Sequence, residues 1–153
     1  MSQELNILKE LHGELALVKK ALGHLQYSYN SCLTIGLQES YTDAELEKWE
    51  AFTARYARLS DIITQKVMNT ILLVETGSTG SLLDKANFAE KLNWVIKAED
   101  FRQLHFLRNY IAHEYLKQNT NDIFELVLDN YSKLILFINH IINHCYNSAI
   151  YKI

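Results

Sequence analysis

Residues 42–77 read TDAELEKWEAFTARYARLSDIITQKVMNTILLVETG, and their pattern decides the fold. Trp49, Phe52, Tyr56, Leu59, Ile63, Val67, Ile71 and Val74 recur in steps of three and four. That spacing lines one stripe of an α-helix for about seven turns. Thr42 can cap this helix while Glu45 reaches back to the Thr42 amide, the capping-box pattern. The small polar residues and glycines of ETGSTGS, residues 75–81, stop it.

The same periodicity extends outward in both directions. Upstream, Leu8, Leu11, Leu15, Val18, Leu22, Leu25 and Tyr29 predict a helix from about Gln3 to about Asn30. Gly13 and Gly23 lie inside it and weaken it by about 1 kcal/mol each relative to alanine. A loop around TIGLQESY, residues 34–41, follows. Downstream, LLDKANFAEKLNWVI (82–96) predicts a shorter helix with Leu83, Phe88 and Leu92 among its apolar positions. KAED (97–100) marks a turn and a restart, so a fourth helix begins near Ala98. KQNTND (117–122) breaks the pattern again, with Asn119, Thr120 and Asn121 as candidate caps. A last helix carries Phe124, Val127, Tyr131, Leu134, Ile138, Ile141 and Cys145. No segment alternates as a strand does, and no repeat or low-complexity tract occurs. The absence of proline permits long unbroken helices. The expectation is an all-α fold, an antiparallel up-and-down bundle of about five helices, with residues 1–153 as a single domain.

Composition narrows the function classes. The 153 residues carry a net charge of −3, whereas a protein that coats itself in nucleic acid is usually basic. Contact with RNA therefore implies a local patch, and no DNA partner is expected. Cys32 and Cys145 have no metal or redox spacing and fit a reducing cytoplasm. The start, MSQELNILKELHGE, is charged and lacks an apolar run followed by a cleavage site, so no secretory leader is expected. No apolar run approaches the roughly 20 residues that span a bilayer. These features predict a cytoplasmic protein without a membrane partner.

The fourth helix contains the stretch LRNYIAHEY, residues 107–115. At about 100° per residue, Arg108 falls among Phe101, Leu104, Ile111 and Tyr115, on the apolar arc. A guanidinium there is costly to bury without partners. His113 points about 140° away from Arg108, with Asn109, Arg102 and His105 between them. Two readings follow. In one, Arg108 makes a structural ion pair with Asp61 or Glu114, and His113 caps the helix end. In the other, Arg108 forks onto phosphate oxygens, His113 moves a proton, and Asn109 holds one of them in place. Both residues can serve one phosphate only if the helix ends or distorts between them, or if a second subunit contributes.

Arg108, four intervening residues, His113, Glu114 and Tyr115 match Arg-x-x-x-x-His-x-Tyr, and Asn109 follows the arginine. This motif resembles that of the HEPN superfamily, and specifically the HepT-like toxins paired with minimal nucleotidyltransferase antitoxins. The segment LLDKANFAEKLNWVIKAEDFRQLHFLRNYIAHEY resembles the third and fourth helices of that family as a unit. The resemblance implies a metal-independent endoribonuclease with no cofactor. In such enzymes the RNA 2′-hydroxyl attacks the adjacent phosphorus and leaves a cyclic phosphate. His113 would then transfer a proton or polarise the hydroxyl, and Arg108 would neutralise charge in the transition state. Asn109 would support them. The family's cleft is shared by a homodimer, its substrate is tRNA or mRNA, and the partner nucleotidyltransferase attaches AMP to the tyrosine matched here by Tyr115. An alternative within the resemblance is a non-catalytic companion of a nucleotidyltransferase. Where related sequences often carry charges, this chain has His105 and Phe106; Phe106 can stack on a base or pack at a dimer interface.

Other candidates carry bland readings. His140 and His144 stand at the i, i+4 spacing of metal ligands, but no third ligand is evident, and two solvent-facing histidines are expected. GSTGS is too short for a phosphate loop and lacks the following Lys-Ser/Thr. Arg55 and Arg58 are assigned to a solvated face, and Tyr29, Tyr56 and Tyr131 to the core.

Overall fold

Ser2 opens the first helix by accepting a hydrogen bond from the Leu5 amide, and α1 runs Gln3–Ile35. It outlasts the expected end at Asn30 because Cys32 continues the buried stripe after Leu25. Gly36, at φ 74°, then ends it in a conformation glycine adopts without steric cost. The computed structural model describes residues 2–114 and 120–152 of the chain.

Thr42 and Glu45 make both bonds of the capping box, at 3.2 and 2.9 Å, and start α2 (Asp43–Asp61). The chain continues through a π-helical turn, Ile62–Val67, into α3 (Met68–Thr76). These three segments form one rod over 43–76. Gly77 closes the rod at φ 86°.

Helix α4 is Leu82–Lys91, capped by Ser81 with Asp84 reaching back. It is shorter than the expected 82–96. Asn93 adopts the left-handed conformation at φ 59°. The Asn93 amide bonds the Glu90 carbonyl and the Trp94 amide bonds the Ala89 carbonyl, which is the Schellman arrangement of a helix end. Trp94 folds back onto Phe88, ring centroids 5.7 Å apart, and supplies its apolar contact. Leu83, read from the sequence as an apolar position, is exposed, whereas Ala86 and Ala89 are buried. Then come α5 (Ala98–Glu114), α6 (Thr120–Asn147) and a 3₁₀ turn at Ala149–Tyr151.

Cross-helix contacts fix the directions. Cys32 donates to the Lys48 carbonyl, Arg55 to the His24 carbonyl and Ser28 hydroxyl, and Thr70 to the Glu14 carboxylate. Partners fall along α1 as they rise along the rod, so the two are antiparallel. Arg55 is thus a tie between helices, not part of a free solvated face. Asp61 with Arg108, and Gln65 with His105, make α5 antiparallel to the rod as well. Trp49 stacks on Phe124, Phe52 meets Tyr131 and Glu75 meets His144, so α6 runs parallel to the rod. Four long rods therefore alternate up and down, and the short α4 bridges the second to α5 at one end. The architecture is the expected all-α bundle, and no strand occurs among the described residues.

Aromatic packing dominates the interior. Trp49, Phe52 and Phe124 are fully buried, and Tyr29 stacks on Tyr131 at 3.8 Å between centroids. Both ends are tied. At one, Tyr41 donates to the Asn121 side chain, which donates to the Gln38 carbonyl. At the other, His144 meets the Glu75 carboxylate at 3.2 Å between the rings of Trp94 and Tyr151. His144 is therefore part-buried, not solvent-facing. Among the described residues, no helix is long and apolar enough to cross a membrane.

Candidate functional site

Helix α5 begins where the sequence places it. Asp100 accepts from the Lys97 amide and Glu90 from the Ala98 amide, satisfying donors that a helix start leaves open. Glu99 and Asp100 put negative charge in the first turn, where the helix dipole favours it. Phe101, Leu104 and Ile111 are buried, with Phe101 against Phe137, and this anchors the helix in the bundle.

Arg108 lies around the helix between Phe101 and Ile111, yet its guanidinium is not buried. The long stem carries it along the surface to Asp61, and the two side chains keep 35% and 45% of their exposure. Nε stands 3.4 Å from Asp61 Oδ1, and Nη2 donates to Oδ2 at 3.5 Å. Nη1 donates to Asn109 Oδ1 at 3.3 Å. Nη1 and Nη2 each donate one hydrogen bond and Nε lies against Asp61, so one N–H on each terminal nitrogen remains. Those two N–H groups can still donate to the oxygens of a phosphate. Asp61, one of the two partners the sequence suggested, is in place. The Glu114 side chain lies outside the described residues.

Asn109 also faces His105, its Nδ2 3.3 Å from His105 Nε2, and Gln65 approaches the other ring nitrogen at 3.0 Å. The result is a row of five side chains, Asp61–Arg108–Asn109–His105–Gln65. Asp61 immediately precedes the π-helical turn and Gln65 lies within it. An i→i+5 turn is uncommon in helices and recurs at functional sites. Sequence reading missed this part: the three–four stripe through Ile63 and Val67 masks the change of helix type. Asp61 and Gln65, four apart and facing Arg108 and His105 three apart, were the available signal.

His113 is exposed and does not join the row. α5 runs unbroken through it, so the helix neither ends nor distorts between Arg108 and His113. Within one chain the two therefore diverge by about 140°. The outer face of α5 carries Arg102, Phe106, Tyr110 and His113, with the Arg102 guanidinium 5.6 Å from the Phe106 ring centre. Tyr115 lies outside the described residues, as does Asn119.

On the far side of α5, a groove of about 560 Å³ runs between the 92–97 turn and α6. Trp94, Ile96, Leu104 and Leu136 line it, with Lys133 and His140 along the α6 wall. Among the described residues, no three His, Cys, Asp or Glu side chains gather as a metal site would require. Burial pushes the Cys32 thiol up to about 11, and burial together with Glu75 pushes Cys145 up to about 12, so neither is a ready nucleophile. No family model, no curated protein and no solved structure matches this chain.

Proposed function

We propose that this chain is a metal-independent endoribonuclease, the toxin half of a toxin–antitoxin pair, built on the HEPN pattern its motif resembles. The observation that carries the reading is Arg108. Its ion pair with Asp61 is half exposed and adds at most about 1 kcal/mol to stability, so structure alone gives little reason for a cation at this place. Held by Asp61 and Asn109, it still keeps one free N–H on each terminal nitrogen for the oxygens of a phosphate.

In the proposed reaction, His113 accepts the proton of an RNA 2′-hydroxyl as its oxygen attacks the adjacent phosphorus. The bond from phosphorus to the 5′-oxygen breaks, that oxygen takes up a proton, and a 2′,3′-cyclic phosphate remains. Arg108 neutralises the charge that builds on the non-bridging oxygens. Because α5 is straight between Arg108 and His113, the reading requires two copies related by a two-fold axis, so that the arginine of one and the histidine of the other share a cleft. A partner nucleotidyltransferase would silence the site by placing AMP on Tyr115, where an added anion repels RNA. The substrate is tRNA or mRNA.

The test is direct. Purified protein should cut RNA in the presence of a chelator, and His113→Ala should not. Equal cleavage by the two proteins overturns the role of His113.

A further inference from the structure

The row of side chains between the π-helical turn and α5 assigns a residue that the motif does not name. We propose that His105 is a positioning residue of the Arg108 site: it fixes the rotation of the Asn109 amide and, through it, where Arg108 presents its two remaining donors. This rests on the ribonuclease reading above.

Donors and acceptors along the row can be matched in only one way. Arg108 has only donors, so Asn109 must turn its oxygen toward Nη1, 3.3 Å away. The Asn109 amino group then faces His105 Nε2 at 3.3 Å, and that nitrogen must accept. A neutral imidazole accepts at one nitrogen and donates at the other, so Nδ1 carries the proton. The Gln65 amide stands 3.0 Å from Nδ1. Two amino groups cannot both face the nitrogens of one neutral ring. Arg108 holds Asn109, so it is Gln65 that turns over and offers its carbonyl oxygen to Nδ1–H. The donors run outward from Arg108, to Asp61 on one side and through Asn109 and His105 to Gln65 on the other. Removing the acceptor at His105 frees Asn109 to rotate. Its oxygen then no longer stays on Nη1, and Arg108 loses one of the two contacts that hold it in place.

The π-helical turn gives this row its reach. It brings Gln65 opposite His105 while Asp61 stays opposite Arg108, so both ends of the row are anchored on one rod. His105 is half-buried against that rod, unlike the exposed His113.

Two measurements test the proposal. Nitrogen-15 NMR of the wild-type imidazoles should show His105 as the Nδ1–H tautomer, shifting toward a mixture in Asn109→Ala. An Nε2–H tautomer in the wild type overturns the proposal. In RNA cleavage, His105→Leu should lower kcat by about 10- to 100-fold with KM within about twofold, as for a misplaced catalytic group. His105→Gln, which keeps an acceptor toward Asn109, should recover activity to within about threefold of wild type. His105→Leu added to Asn109→Ala should cost nothing further, since both act through one contact. Unchanged cleavage by His105→Leu overturns the proposal. So does a His105→Gln protein as inactive as His105→Leu that has also lost one limb of its pH profile, because His105 would then be moving protons itself. If wild-type protein cuts no RNA, the ribonuclease reading falls, and the tautomer alone decides the chain of bonds: Nδ1–H upholds it and Nε2–H overturns it.

Discussion

Replacing Arg108 by alanine separates a residue that holds the bundle together from one that the bundle holds in place. The change removes the contact with Asp61, the bond to Asn109 Oδ1 and the packing of the arginine stem. The ion pair is 35% and 45% exposed and contributes about 0–1 kcal/mol. The hydrogen bond to Asn109 adds about 0.5–1 kcal/mol, and a part-covered stem adds a similar increment. The sum is about 1–3 kcal/mol, within the ordinary range for a point substitution. Breaking a buried ion pair would instead cost about 3–5 kcal/mol, because Asp61 would be left as an uncompensated charge. Urea unfolding followed by circular dichroism distinguishes the two ranges. A double-mutant cycle with Asp61→Ala should give a coupling energy below about 1 kcal/mol. The Arg108→Ala protein, still folded at 25 °C, should lose RNA cleavage by about 10²- to 10³-fold, as when a transition-state charge loses its donor. A stability loss above about 3 kcal/mol, with a matching coupling to Asp61, would refute the argument and make Arg108 a structural residue.

Other consequences can be checked separately. At pH 8 the thiols of Cys32 and Cys145, pushed up to about 11 and about 12, are thiolate in about one molecule in a thousand and one in ten thousand, so iodoacetamide should label them only after unfolding; rapid labelling of the native protein would contradict their burial. Hydrogen bonds from Thr42 and Ser81 hold the Glu45 and Asp84 carboxyls below their ordinary values of 4.5 and 3.8. Lowered folded values mean that the stability they add is complete above those ordinary values and is lost as the pH falls through the folded ones. Glu45→Gln should therefore lower the urea midpoint at pH 6, and its curve should converge on wild type in strong acid; a constant gap at every pH would contradict the capping role. Asn93→Val forces a β-branched side chain into a left-handed residue at φ 59° and should lower stability by about 1–2 kcal/mol, whereas Asn93→Gly should be near neutral, both read by thermal unfolding.

The bundle was legible because its signals are local. Stripes at three–four spacing gave the helices, and Thr42, Glu45 and the KAED restart gave boundaries that the structure keeps. Where the boundary depended on tertiary contact, the sequence misled. The helix read as 82–96 stops at Lys91, because Trp94 gains more by folding onto Phe88, Phe137 and His144 than by continuing a helix. His144 reads as a surface histidine until the end of α3 brings Glu75 beside it.

The site divides in the same way. The order of residues along α5 fixes the angle between Arg108 and His113, since helical geometry follows from chain position alone, but it left Asp61 and Glu114 as alternative partners. Only the tertiary structure decided that the guanidinium stays at the surface, that the rod passes through a π-helical turn, and that Gln65 and His105 extend the row. Those outcomes depend on how two distant helices lie against each other. That register is set by the packing of the whole core and is written in no single stretch of sequence.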